Sequence, residues 1–220
     1  MIEFNHVYKT YPGPVHALKN IDFKVEKGEF VFITGPSGAG KTTLFRMLSA
    51  FDRPTSGKIK VGGFDVSGLD SKTLPKFRSH IGVVFQDFRL LKNRTVFDNV
   101  ALPLQVQGEK PSIIRNRVDS VLEQVGLGHK FDQIPEVMSG GEQQRIAIAR
   151  ALIHEPQILI ADEPTGNLDP KKSQEIMDLL EQLCKLGTTV FIATHDIAAV
   201  EARRKRRLQI IDGILAGDGR

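Results

Sequence analysis

The sequence predicts an α/β fold: a mostly parallel sheet, an antiparallel β subdomain at the N-terminus and an inserted helical subdomain. Three observations predict it. Residues 158–161 and 189–193 are unbroken apolar runs, as expected of parallel strands that are buried on both faces. Residues 2–7 and 21–25 alternate like strands with one covered face. Between residues 87 and 150 the apolar residues follow a helical period instead.

The elements of the first half follow from turns and breaks in the sequence. The turn at residues 27–29 leads into the apolar run 30–33, which predicts a buried strand. Residues 42–50 then have the pattern of a helix, and the Pro-Thr-Ser-Gly sequence at residues 54–57 ends it. A short hairpin at residues 58–63 follows this break.

The second half begins with a short predicted strand at residues 81–85. An apolar helical stripe then ends at Gly126, and its members are Ile113, Val118, Val121, Leu122 and Val125. We therefore expect a single domain with two parts. Residues 1–86 and 151–220 form the core with the β subdomain, and residues 87–150 form the helical subdomain.

Length and composition are those of an ordinary globular protein. The chain has 220 residues, of which 40% are hydrophobic and 25% are charged, so a sizeable core is expected and a fibrous or disordered chain is not. No apolar run approaches the roughly 20 residues that cross a bilayer, and the N-terminus lacks a signal-peptide pattern. We expect a cytosolic protein whose single cysteine, Cys184, is a reduced core thiol.

A basic run close to the C-terminus carries most of the charge asymmetry behind the net charge of +4. Anionic lipids attract such a run by about 1 kcal/mol per charge, so contact with a membrane surface is one interpretation. The alternative is a solvated helix face. No aromatic residues interleave the run, which argues against binding of single-stranded nucleic acid. The run comprises Arg203, Arg204, Lys205, Arg206 and Arg207.

The motif G-x-x-x-x-G-K-[ST] follows the strand at residues 30–33 and predicts a phosphate-binding loop in a P-loop NTPase core. Its backbone N–H groups and the helix N-terminus are expected to bind phosphate oxygens. Lys41 would neutralise the β- and γ-phosphates of ATP, Thr42 would bind Mg²⁺, and Thr43 would reach the α-phosphate. The motif consists of Gly35, Pro36, Ser37, Gly38, Ala39, Gly40, Lys41 and Thr42.

Polar residues follow the central strands at the edge where ligands bind in open α/β sheets. Asp162 is expected to hold Mg²⁺, and Glu163 to orient and polarise the attacking water. His195 ends the last apolar strand, where it would sense the γ-phosphate. Gln86 ends an earlier strand, and its amide would bind Mg²⁺ or report loss of the γ-phosphate.

A second anion site is predicted at the start of a strong helix, where Ser139, Gly140, Gly141 and Glu142 precede an apolar repeat. One nucleotide offers only one γ-phosphate. A second site on a separate subdomain is therefore expected to bind ATP held by another copy, which predicts a two-fold, head-to-tail dimer with two sandwiched nucleotides.

Together these motifs resemble the ATP-binding cassette family over essentially the whole chain. The resemblance makes residues 35–42 the Walker A loop, Gln86 the Q-loop glutamine and residues 139–143 the signature motif. It makes Asp162 and Glu163 the Walker B pair, residues 167–169 the D-loop and His195 the switch histidine. Tyr11 falls where the family places the aromatic residue that stacks on adenine. Met138 and Glu142 depart from the commonest signature wording, without putting activity in doubt.

Within the family, residues 161–169 resemble the subgroup of lipoprotein-release, macrolide-efflux and cell-division ATPases, and residues 85–100 look most like the cell-division branch. That branch implies an FtsX-like integral membrane partner, bound in a groove around residues 87–105. It also implies a peripheral position on the cytoplasmic face of the bacterial inner membrane. ATP cycling would there activate cell-wall hydrolases outside the membrane.

Three other interpretations stay open from the sequence. The same catalytic residues would serve an ATPase of a lipoprotein-release or efflux complex, which only the membrane partner distinguishes. A non-catalytic, ATP-dependent septal scaffold would need binding and dimerisation but no turnover. A DNA-repair ATPase is disfavoured because that family inserts a long coiled coil, which this chain lacks.

Overall fold

Two β-sheets and seven helices make up the computed structural model, which describes residues 1–13 and 15–219. The strands are β1 (Ile2–Tyr11), β2 (Val15–Val25), β3 (Phe30–Thr34), β4 (Ser56–Val61), β5 (Phe64–Asp65), β6 (Ile81–Val84), β7 (Ile158–Asp162), β8 (Thr189–Ala193), β9 (Arg206–Ile211) and β10 (Ile214–Gly219). The helices are α1 (Lys41–Leu48), α2 (Thr73–Arg78), α3 (Val96–Val106), α4 (Pro111–Gln124), α5 (Gly140–Leu152), α6 (Pro170–Lys185) and α7 (Ile197–Arg203).

The larger sheet has six strands in the order β10-β9-β3-β8-β7-β6. Its strands from β9 to β6 run parallel, and β10 pairs antiparallel with β9 at one edge. The smaller sheet, in the order β2-β1-β4-β5, is antiparallel throughout. The predicted α/β fold, with a mostly parallel sheet and an N-terminal antiparallel β subdomain, is confirmed.

Both faces of the parallel sheet are covered, which explains the unbroken apolar runs. On β3, Phe30 and Phe32 join the hydrophobic cluster that the sheet forms with α3, α4, α5 and α6. Val31 and Ile33 point to the other face, into the cluster formed with α1 and the antiparallel sheet. The sheet therefore holds its carboxyl edge rigidly between two cores.

The apolar stripe on α4 differs by one residue from the prediction. Ile114 is buried, together with Val118, Val121 and Leu122, whereas the predicted first member, Ile113, is 37% exposed. The buried positions are separated by three or four residues, and Ile113 lies about 100° away around the helix. The predicted stripe was wrong at this position because the 3.6-residue period places Ile114, rather than Ile113, on the same face as Val118 and Val121.

The C-terminal hairpin of β9 and β10 was not predicted, and the basic run lies where α7 meets β9. Three of its five side chains are already in ion pairs. Arg203 contacts Asp178 and Glu181, Lys205 contacts Glu181, and Arg206 contacts Glu29 and Asp218. The interpretation as one solvated helix face is wrong, because Arg206 and Arg207 belong to the strand.

Cys184 is partly buried on α6, and its Sγ donates a hydrogen bond to the Gly28 carbonyl at 3.3 Å. Burial raises the pKa of its thiol, as expected of an unreactive cysteine. Across residues 1–13 and 15–219, none of the helices has the length and apolar character needed to span a membrane.

Candidate nucleotide site

The loop between β3 and α1 is shaped by glycine. Gly35 and Gly40 have φ angles of 153° and 110°, which side-chain-bearing residues rarely adopt. A Cβ on Gly35 would collide with the Ile210 carbonyl, and one on Gly40 would lie 2.7 Å from the Ala17 carbonyl oxygen. The loop can follow this path only without side chains at these two positions, because neighbouring main-chain atoms lie where their Cβ atoms would be.

The N-terminus of α1 is open. Gly40 caps the helix without a side-chain hydrogen bond, and no acidic residue lies in the first turn. Lys41 Nζ donates to the Gly35 carbonyl at 2.7 Å and to the Pro36 carbonyl at 3.0 Å, which holds its ammonium group against the loop. Uncapped N–H groups beside a held cation fit the phosphates of a nucleotide.

Thr42 and Asp162 come together in space, 120 residues apart in sequence. Both line a cavity of about 170 Å³ at the carboxyl edge of the sheet, with Arg46 and Arg89 among its other walls. Burial, followed by the charge of Glu163, raises the pKa of Asp162 to about 6, although Lys41 and Arg89 oppose the shift. A carboxyl group desolvated in this way gains from a nearby cation.

The donor set suits Mg²⁺ better than a transition metal. Among the described residues, no group of three or more histidine, cysteine, aspartate or glutamate side chains is arranged to hold a metal ion. Mg²⁺ is typically held by one or two carboxylates with phosphates and waters supplying the rest. The hydroxyl of Thr42 and the carboxylate of Asp162 fit that pattern.

Glu163 is held firmly at the end of β7. Its φ of 47° is unusual for a residue with a side chain, and its N–H donates to the Ala193 carbonyl at 2.8 Å. His195 Nδ1 donates to Glu163 Oε1 at 2.7 Å, and Thr194 Oγ1 donates to Oε2 at 3.1 Å. Each carboxylate oxygen therefore has its own donor, and the side chain has one defined orientation.

Thr194 is the site residue that sequence reasoning missed. It is 4% exposed, and besides its bond to Glu163 it accepts a hydrogen bond from the Asp196 N–H at 3.1 Å. Its place between an apolar strand and His195 was the available signal. Only the structure shows that its hydroxyl faces the carboxylate.

Gln86 lies beside Glu163 rather than in the Thr42–Asp162 cavity lining. Its Nε2 would be 3.2 Å from a Cβ built on Gly166, which in turn would be 3.5 Å from Glu163 Cβ. Asn167 Nδ2 donates to the Gln86 main-chain carbonyl at 3.0 Å. The loop after β6 is thus attached to the segment that follows Glu163.

The N-terminus of α5 is capped by the chain itself. Ser139 is the N-cap, and Glu142 completes a capping box with it. Glu142 Oε2 accepts the Ser139 N–H at 2.9 Å and the Ser139 hydroxyl at 2.8 Å. These two donors, the hydroxyl first, lower the pKa of Glu142. The carboxylate is therefore bonded to the N-cap residue, beside the helix N-terminus where sequence reasoning expects an anion.

Gly140 and Gly141 bring this helix start close to the residues after Glu163. A Cβ on Gly140 would lie 3.4 Å from Leu168 Cδ2, and one on Gly141 would lie 2.8 Å from Lys172 Cδ. The predicted signature motif therefore packs directly on residues 167–172. Asp169 in this stretch caps α6 by accepting the Lys172 N–H.

Tyr11 ends β1 with its hydroxyl already engaged. Tyr11 Oη donates to Asp52 Oδ2 at 2.8 Å, and Lys9 Nζ lies 4.8 Å from the centre of the ring. Lys9 also pairs with Asp52, which fixes this small group. The orientation of the ring is defined, and its stacking on adenine stays a prediction.

The chain matches a known family model and several curated proteins. The model, described as ABC transporter, matches residues 18–166. Proteins named cell division ATP-binding protein FtsE are similar along nearly the whole chain. The one from Mycobacterium tuberculosis is 51% identical and the alignment covers 99% of this chain and 95% of the relative. The one from Escherichia coli K12 is 46% identical, with 99% and 98% covered.

Solved structures give the same result for the fold. The ATP-binding cassette MJ0796, in a dimeric post-hydrolysis state bound to ADP and Pi, has a TM-score of 0.90 at 37% identity, with 100% of this chain and 98% of that one covered. CbiO1 from Clostridium perfringens, part of the transporter complex cbiONQ, has a TM-score of 0.91 at 35% identity, with 99% and 87% covered.

Proposed function

The chain belongs to the ABC transporter family and is an ATP hydrolase of an ABC-type complex in cell division, and from this we propose how its residues work and what it drives. We propose the division into a catalytic core of residues 1–86 and 151–220 and a helical subdomain of residues 87–150. The core would hold the nucleotide, and the helical subdomain would act on the nucleotide of a second copy.

We propose that the loop from Gly35 to Thr42 binds the phosphates of ATP through its backbone, with Lys41 as their principal charge partner. Support comes from the open N-terminus of α1. Thr43 would reach the α-phosphate, and Tyr11 would stack on the adenine. Thr42, Asp162 and Gln86 would hold Mg²⁺, which when bound neutralises charge on the phosphates.

The observation that carries the hydrolytic proposal is the clamped carboxylate of Glu163. His195 and Thr194 each bind one of its oxygens, 2.7 Å and 3.1 Å away, directly after the strand that ends in Asp162. A carboxylate held in this way would accept a proton from water aligned with the γ-phosphate. His195, whose side chain is 67% exposed, would also reach that phosphate.

A head-to-tail dimer is proposed for the ATP-bound state. The N-terminus of α5, with Ser139, Gly140, Gly141 and Glu142, would approach the γ-phosphate held by a second copy. The dimeric state of the structural relative bound to ADP and Pi supports dimerisation. Ser139 would then redirect its hydroxyl from Glu142 to the phosphate.

The proposed membrane partner is an FtsX-like permease, and the proposed location is the cytoplasmic face of the bacterial inner membrane. The partner would dock around residues 87–105. Leu91 is 42% exposed there, and Phe51, which is 41% exposed, lines a cavity of about 200 Å³ together with Pro103 and other residues. An exposed apolar edge of this kind suits a short amphipathic segment of a partner.

Lipid contact by the basic run would be restricted to Arg204 and Arg207. The described ion pairs already neutralise Arg203, Lys205 and Arg206, so these three have little charge left for a membrane surface. Two charges would contribute roughly 2 kcal/mol at most. We therefore propose that the permease, rather than lipid, recruits the chain to the membrane.

The test of the catalytic proposal is Glu163→Gln with ATP and Mg²⁺. The amide keeps the shape but cannot accept the proton, so hydrolysis should fall about 10²- to 10⁴-fold while ATP binding persists. Sedimentation should show a trapped dimer. Glu155→Gln is the matched control, because Glu155 is an exposed glutamate with a similar φ of 55°. A monomer with ATP would contradict the shared site.

The partner is tested by capturing the Glu163→Gln chain from gently solubilised membranes, with Glu155→Gln as the control. Enrichment of an FtsX-like permease would support the proposed partner. Enrichment of a lipoprotein-release or efflux permease instead would contradict that partner and leave the catalytic assignments in place.

A further inference from the structure

The loop between β6 and α3, residues 85–95, has an unusual backbone. Phe88 and Arg89 have φ angles of 57° and 50°, so two successive residues with side chains lie in the left-handed region. Such conformations cost roughly 1 kcal/mol or more each and persist only where surrounding contacts hold them. The loop carries Gln86 at its start, so whatever holds it also positions that glutamine.

The group that holds these two residues is Arg150 on α5. Its Nη1 donates to the Arg89 carbonyl at 2.6 Å and its Nη2 to the Phe88 carbonyl at 2.7 Å. No carboxylate pairs with Arg150 among the residues that the structure describes. Burial, followed by the charge of Arg89, lowers the pKa of its guanidinium. A partly buried cation whose main acceptors are two carbonyls is costly to place, which indicates a specific task.

The rest of the loop is held from other elements. Asn99, fully buried on α3, accepts the Leu91 N–H at 2.7 Å and donates to the Leu91 and Thr95 carbonyls. Asn167 binds the Gln86 carbonyl from the segment after Glu163. Arg150 is therefore the tether that connects the left-handed residues to the signature helix.

We infer that Arg150 is a positioning residue that makes Gln86 and the signature motif move as one body. It lies eleven residues after Ser139 on the same helix, a rigid span of roughly 16 Å. A partner that pushes on the exposed loop would therefore move Ser139, and a phosphate at Ser139 would hold the loop. The coupling role of Arg150 rests on the proposed nucleotide sites, whereas its hydrogen bonds to the loop do not depend on them.

The test is limited trypsin digestion of Arg150→Met and Arg150→Lys in the full chain. Arg89, Lys92 and Arg94 are exposed cleavage sites within the loop. Loss of the tether should raise cleavage there by about tenfold, the factor that a change of about 1.4 kcal/mol in opening free energy produces. Cleavage after Lys27, exposed in the turn before β3, is the internal reference. Lysine keeps the charge and can bind one carbonyl, so its effect should be intermediate.

Two control results decide the inference. Unchanged loop cleavage would overturn the inference, because it would show that Arg150 does not hold the loop. An equal rise in cleavage after Lys27 would also overturn it, because it would show only global destabilisation. If the Met variant does not fold, the Lys variant decides by the same criterion. Arg115→Met, at an exposed position of α4, should leave the loop unchanged.

The coupling is measured in the Glu163→Gln background. With Arg150→Met, ATP binding to the monomer should stay within about twofold, while the ATP-dependent dimer weakens about tenfold. An equally strong dimer would overturn the coupling. If the Glu163→Gln parent itself neither binds ATP nor dimerises, the proposed function fails, and the trypsin result still reports on the tether.

Discussion

Two helix N-termini in this molecule are proposed to bind phosphate, but they are capped in opposite ways. The N-terminus of α1 follows Gly40, has no side-chain cap and carries no acid in its first turn. The N-terminus of α5 follows Ser139 and is closed by a capping box with Glu142. Both ends have the dipole and free N–H groups that attract anions, but only at the second does a carboxylate bind the N-cap residue.

The difference in capping determines when each helix N-terminus can bind phosphate. An uncapped end is prepared before any ligand arrives, so it suits the chain's own nucleotide. A self-capped end gains from a phosphate only the difference between that phosphate and Glu142. It therefore suits a ligand that a second copy delivers already positioned. The contrast predicts that the N-terminus of α1 binds phosphate strongly by itself. The N-terminus of α5 is expected to bind phosphate only when a second copy presents it.

Lys41→Ala should break the first site and has the largest expected effect. Two charge-assisted hydrogen bonds of about 1.5–3 kcal/mol each are lost, so ATP affinity should fall about 10²- to 10⁴-fold. Titration calorimetry on the purified chain measures this change. Lys171→Ala, an exposed lysine on α6, is the control. Retained tight binding would show that the open helix end is not the phosphate site.

Ser139→Arg should break the second site and leave the first intact. The longer side chain would obstruct the approach of a second copy's γ-phosphate, and misplacement by about 1 Å can cost about 10²-fold in rate. ATP binding by calorimetry should match the parent while turnover falls by about that factor. Ser79→Arg, at a partly exposed serine that follows α2, controls for the added charge. An unchanged rate would contradict the shared site.

A matched pair of glycine substitutions tests the comparison of the two helix starts by measuring protein stability. Gly40→Ala puts a side chain at φ 110° and against the Ala17 carbonyl, so the free energy of unfolding should fall by about 2 kcal/mol or more. Gly141→Ala meets the flexible Lys172 side chain, and a gain of about 1 kcal/mol in helix propensity offsets that contact. Urea unfolding of both variants measures the difference. Equal losses would show that glycine is required to the same degree at both helix starts.

The sequence was sufficient for the parts of the fold that local patterns specify. Unbroken apolar runs predicted β7 and β8 because both faces of those strands are buried. The glycines of residues 35–40 predicted the phosphate loop, since its backbone path excludes side chains. The β9–β10 hairpin was missed in part because Arg206, at its start, is paired with Glu29, which lies 177 residues away in sequence, and such a partner leaves no local signal.

The same limit applies to the site. The motifs located Glu163 and His195, but the clamp by Thr194 depends on β7 and β8 lying side by side. The tether from Arg150 to Phe88 joins residues 62 apart in sequence. Contacts of this kind arise from tertiary packing, which periodicity and propensity do not describe.

The smallest expected effect comes from Glu142→Gln, which tests whether the carboxylate truly competes with phosphate. The amide still accepts from Ser139 but loses its charge at the helix N-terminus, so the free energy of unfolding should fall by about 0.5–1 kcal/mol. In the Glu163→Gln background the ATP-dependent dimer should become about two- to fivefold tighter, because one negative charge no longer faces the incoming phosphate. Glu136→Gln removes the same charge from an exposed neighbour and should change neither. A weaker dimer would mean that Glu142 prepares Ser139 for the phosphate instead of competing with it.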